Sequence, residues 1–140
     1  MLGVGNKNMK TQVEFRSSIF PPYDDEEEII NPGRYGKRLA EYIHVHLPKY
    51  GFEVEDIYSE DWGWGVPIKN DKFSLWVGCG NQDEFEDGFL CFIEPSKLYI
   101  KKLFKKIDIS EIVTKLVEAL ESIFLSEKDI TGINWLETNT

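Results

Sequence analysis

Two histidines stand two residues apart in "EYIHVHLP", at His44 and His46, and a metal ion is the first chemistry they suggest. On a helix that spacing turns the rings about 200° apart, so they cannot share one ion. His46 falls on the apolar stripe of its segment and is expected in the core, with His44 at the surface. Cys79, in "GCG", would suit a nucleophile only in a partly exposed, electropositive setting. Its place in an apolar alternation, with Cys91 nearby on the same face, predicts two buried, reduced thiols instead. "NQDEFEDG" offers Asn81 and Asp83 at the first two positions of a calcium loop, but Phe85 holds the third and the flanks read as strands. Asp56, Glu60 and Asp61 supply paired carboxylates, yet acid–base work needs a cleft that drives their pKa values apart. The sequence therefore assigns no catalytic residue, no metal set and no cofactor.

The elements that must position these groups follow from periodicity. "TQVEFRSSIF" alternates as a half-buried strand, and "PPYDDEEEIINPG" breaks it into a long acidic surface loop. Asp24, Asp25, Glu26, Glu27 and Glu28 form a candidate docking strip there. Tyr35, Leu39, Tyr42, Ile43 and His46 recur at helical spacing, and Pro48 with Gly51 ends that helix. Segment 52–58 and the three segments 61–68, 73–80 and 89–94 read as strands. "DISEIVTKLVEALESIFLSE" is a second amphipathic helix, with Asp108 and Glu111 at capping-box spacing. "KKLFKK" reads as a solvated turn before it, and "DITGINWLE" as a short last strand. The expected fold is α+β, an antiparallel meander with two main helices on one face, in the order β-α-β-β-β-β-α. Residues 1–10 are expected to be a flexible, dispensable tail, and 11–140 one domain.

"EDWGWGVPI", residues 60–68, is the stretch that this frame leaves unexplained. A two-residue turn at Asn70-Asp71 would set Trp62 opposite Cys79, Trp64 opposite Val77, Val66 opposite Leu75 and Ile68 opposite Phe73. The other face then carries Gly63 opposite Gly78 and Gly65 opposite Trp76. Glycine costs stability inside a strand, so this cluster implies that something lies on it. Either the sheet's own rings fill the floor, as Trp76 would by folding across Gly65, or the floor is a groove. As a groove, it would be lined by Asp61, Gly63, Gly65, Trp76, Gly78, Phe92 and Glu94 and would take a flat ligand or a partner segment.

The E-D-W-G-W stretch at Glu60–Trp64 follows a helix, turn and strand and precedes alternating strands and a late helix. In this the chain resembles a family of short uncharacterised bacterial proteins, over roughly residues 11–136. The resemblance implies no activity; it implies that Trp62-Gly63-Trp64 is a family feature.

Charge narrows the partners. With 25 acids against 16 Lys and Arg the formal charge is −9, which repels nucleic acid and anionic lipid and favours a basic protein partner. No apolar run spans a bilayer, and "MLGVGNKNMKTQ" lacks a signal's apolar core, so the expected compartment is the cytoplasm. The expected function is a non-catalytic interaction module, adaptor or immunity-like. The alternative is a small-molecule binder or small enzyme using the glycine-floored groove. A self-associating subunit, a homodimer, is the third reading.

Overall fold

A computed structural model of the chain describes residues 9–96, 99–102 and 105–137. The alternation in "KTQVEFRS" forms β1 (Lys10–Ser17), with Thr11, Val13, Phe15 and Ser17 turned inward. Met9 packs against the core and β1 begins at Lys10, so the tail expected over 1–10 does not extend that far. Residues 1–8 lie outside the described residues. The acidic loop contains one helical turn, α1 (Glu26–Ile29), followed by α2 (Lys37–His46) and a 3-10 turn, Leu47–Tyr50. Gly51, at φ 90°, closes that turn in the left-handed region that glycine tolerates.

The strands β2 (Tyr58–Glu60), β3 (Gly63–Ile68), β4 (Leu75–Asn81) and β5 (Gly88–Glu94) form the expected meander. A hairpin follows, β6 (Tyr99–Lys102) and β7 (Lys105–Asp108), where a solvated turn was expected. Then come α3 (Ser110–Leu125) and β8 (Ile130–Glu137). The main sheet has the order β2-β3-β4-β5-β1-β8, so β1 leaves the N-terminal edge and inserts between β5 and β8. The fold is α+β, and every pairing in the sheet is antiparallel.

One face of the sheet carries Val13, Phe15, Trp64, Val66, Leu75, Val77, Phe89, Cys91 and Ile93, all buried. Against it lie α2, over β3 and β4, and α3, which also meets α2 and β8. Leu39, Ile43, Leu116, Leu120 and Phe124 are fully buried. Fully burying such side chains is worth about 1.5–3 kcal/mol each, enough to fix which face the helices cover. Phe15 stacks on Phe89 at 5.9 Å between ring centres and packs, tilted, on Phe124 at 4.7 Å. Among the described residues no helix is long and apolar enough to cross a membrane.

Several local expectations change. Ile68 pairs with Leu75, leaving 69–74 as a loop in place of a two-residue turn at Asn70-Asp71. Asn70 Oδ1 accepts from Lys72 N at 3.1 Å, and this side-chain turn replaces the tight backbone one. The register therefore slides by two: Trp64 faces Cys79, Val66 faces Val77, and Gly65 faces Gly78. A slip of two preserves the faces. Segment 52–58 gives only a bridge, Val54 with Ile68, before β2 begins at Tyr58. At α3, Asp108 Oδ1 accepts from Ser110 N at 2.9 Å, while Glu111 pairs with Lys115 in place of closing a capping box.

Candidate functional site

The helix-free face of the meander is where the glycines meet. A side chain on Gly65 would collide with the Tyr58 ring, and one on Gly78 with the Phe92 ring. Of the two expectations for the glycine floor, the covered one is found. The covering rings are Tyr58 and Phe92, however, and not Trp76. Gly63 serves a different purpose: a β-carbon there would run into the Cys79 carbonyl, so backbone lies where a side chain would go.

Trp62 also departs from the expected register. It sits in the turn between β2 and β3 and stacks on Trp76 at 6.2 Å, interplanar angle 23°, and on Phe92 at 5.0 Å. Trp76 meets Phe92 at 5.6 Å and Tyr58 at 6.1 Å. Tyr58, Trp62, Trp76 and Phe92 thus form an aromatic tetrad, each ring half-buried, apart from the helix-covered core. The glycines are what let the Tyr58 and Phe92 rings lie against the sheet. Glu94 faces Trp76 across β4 and β5, and Glu60 follows Tyr58 on the same side of β2. Neither carboxylate makes an ion pair among the described residues. Burial, followed by the Glu60 charge, pushes the Tyr58 phenol up. Asp61 is exposed at the turn, and its carbonyl accepts from Asn31 Nδ2 at 2.9 Å.

The acidic strip divides. Asp24, Asp25, Glu27 and Glu28 are exposed, but Glu26 is fully buried and must be withdrawn from it. Its Oε1 accepts from Tyr23 N at 3.0 Å; its Oε2 accepts from Gly36 N at 2.7 Å, Lys37 N at 2.8 Å and Trp64 Nε1 at 2.9 Å. The first N–H groups of α2, which have no partner within the helix, converge on this carboxylate. Lys37 Nζ lies 5.1 Å from the centre of the Trp64 ring, whose indole donates to Glu26. Trp64 therefore points into the core while Trp62 points out, which explains the alternation in "WGWG".

The other candidates do not converge. Cys79 and Cys91 are free and buried, with sulfurs 4.0 Å apart, and burial pushes the Cys91 thiol well above its ordinary value. His46 packs on Tyr42, with its Nδ1 3.2 Å from Lys49 Nζ, and lies at intermediate depth where a core position was expected. Asp56, Glu60 and Asp61 are all exposed. Asp83 pairs with Arg34, and Asp87 with Arg16, whose guanidinium lies 4.2 Å from the Phe85 ring centre. A cleft of about 1110 Å³ opens between the 3-10 turn, the 69–74 loop and α3. Of its cations, Lys69 pairs with Glu53 at 3.7 Å and Lys115 with Glu111 at 3.3 Å, so it offers no free charge at either position. Its lining holds no histidine or cysteine.

No protein-family model, curated protein or solved structure matches the chain.

Proposed function

We propose that this chain is a non-catalytic cytoplasmic interaction module, adaptor or immunity-like, that captures a basic protein partner. The observation that carries this reading is the half-buried aromatic tetrad flanked by the unpaired carboxylates of Glu60 and Glu94. Partly exposed aromatics supply contact area at little entropic cost, and the −9 net charge steers a cationic partner towards them. The exposed part of the acidic strip, Asp24, Asp25, Glu27 and Glu28, adds to the same field. The E-D-W-G-W stretch contributes Glu60, Asp61 and Trp62 to this face, while its Trp64 points into the core.

The test is an amide-resolved titration of the labelled chain with a cationic and an anionic polypeptide. The cationic one should shift a contiguous set of residues on the helix-free face, reversibly with salt. Shifts scattered over every surface acid, or equal shifts with the anionic polypeptide, would remove the reading.

A further inference from the structure

We infer that the aromatic tetrad recognises arginine side chains of an extended basic segment, by stacking guanidinium groups on Trp62 and Trp76 within reach of Glu60 and Glu94. This inference rests on the proposed function and specifies its partner.

Three features of the face select this occupant. The first is charge. Arg16 lies on the same side of β1 but is engaged by Asp87, and Glu14 by Gln82 at 2.8 Å. Lys10 stands at the other end of β1 from Arg16, two residues before Gln12, the partner of Phe92, and no ion pair joins it to Glu94. Glu55, Asp56 and Asp61 are exposed on the segments flanking β2, so its approaches are acidic.

The second feature is shape. Tyr58 and Phe92 fill the space over the glycines, and Trp62 and Trp76, near-parallel to each other at 23°, stand at 52–72° to those two rings, so the face is a filled, ridged surface and not a pocket. A surface of this kind cannot enclose a compact ligand, whereas a planar cation can lie against a single ring. Guanidinium is planar, weakly hydrated and able to stack on a ring while its N–H groups reach a carboxylate. An ammonium is a compact, strongly hydrated charge and gains less from such a surface. The chain already makes this contact within itself: Arg38 Cζ lies 4.0 Å from the Tyr23 ring centre, and Arg16 Cζ lies 4.2 Å from that of Phe85.

The third feature is the state of the indoles. Trp64 Nε1 donates to Glu26 and Trp135 Nε1 donates to Glu121, so both are committed internally. Among the described residues, neither Trp62 nor Trp76 has a partner for its N–H. The four tryptophans thereby divide into two reporters and two internal controls.

The experiment follows the four indole N–H resonances of the ¹⁵N-labelled full chain while adding one of three peptides. These are glycine-spaced peptides of equal length bearing arginine, lysine or citrulline. The arginine peptide should move Trp62 and Trp76 and leave Trp64 and Trp135 in place. The lysine peptide should bind several-fold more weakly, and the citrulline peptide should not bind. Glu60→Gln with Glu94→Gln should weaken arginine binding by about tenfold without altering the melting temperature, because both side chains are unpaired. Equal binding of citrulline would overturn the inference, since no cation would be needed. Movement of amides at 24–28 with both indoles still would also overturn it, while leaving a basic partner at the acidic strip. Indole shifts that depend on protein concentration alone, with a dimer on sizing, would make a second copy the occupant. Binding by none of the peptides, together with failure of the cationic titration above, would remove the parent reading as well.

Discussion

A carboxylate buried at full depth is tolerable only when its lone pairs are occupied, and Glu26 meets that condition with donors from Tyr23, Gly36, Lys37 and Trp64. Glu26→Gln leaves one oxygen to serve donors that now also face an NH2 group. At least one buried N–H then loses its acceptor, at a cost of about 1–3 kcal/mol. Chemical denaturation should show this loss, and the Trp64 indole resonance should move while Trp135 stays still. The glycines make the opposite point, since there the missing side chain is what matters. Gly78→Val would drive its branches into Phe92, so overpacking should cost about 1–3 kcal/mol, even though valine suits a strand better than glycine does. A lower melting temperature that Phe92→Ala partly restores in the double variant would attribute the cost to that contact. An unchanged melting temperature would show that Phe92 can swing clear.

At the scale of elements, the end of α2 carries a pH dependence. Burial, and then the charge on Lys49, pull the His46 pKa below its ordinary value, while Glu127 opposes them. A histidine whose folded pKa is depressed takes up protons more readily unfolded, so stability falls as pH drops from about 6.5 towards the lower folded value. Above that window the contribution is fully present. The melting temperature of His46→Gln should therefore fall less between pH 7 and 5 than that of the parent chain; an equal fall would place the acid sensitivity elsewhere. The same element was legible in the sequence, because Leu39, Ile43 and Pro48 stand at positions only a short helix explains. The sheet faces were legible for a similar reason: period-two alternation survives a slip of two residues, so Val66, Val77, Cys91 and Ile93 face the helices although the register moved. What could not be read were features set across the chain. Glu26 looked like its exposed neighbours, because three of its four donors come from residues 10 to 38 positions away. Tyr58 covers Gly65 from a strand whose start the alternation placed too early. Asn70 chose a side-chain turn over a tight hairpin, and that choice moved every partner of β3.

On the scale of the whole molecule, the fold closes by pairing its first described strand with its last. β1 is paired on one side with β5 and on the other with β8, so residues 10–17 meet residues 130–137 across nearly the full length of the sequence. Such a pairing is reached only after the intervening loop closes, which costs entropy before any contact repays it. What repays it is burial: Ile130 joins the core, Ile133 and Trp135 pack against it, and the Trp135 indole donates to Glu121 on α3. The strand thus ties the helical layer to the sheet and covers one edge of β1. A chain ending after Asp129 would leave that edge unpaired and expose Val13, Phe15 and Phe124 along its flank, a combination that favours edge-to-edge association. We expect this truncated chain to lose its sharp thermal transition and its near-ultraviolet aromatic signal, and to aggregate at concentrations where the full chain does not. Adding a peptide of residues 130–137 should restore part of that signal if pairing with β1 is what was lost. A truncated chain that melts as cooperatively as the parent would show that β1 is held by β5 alone and that β8 only decorates the edge.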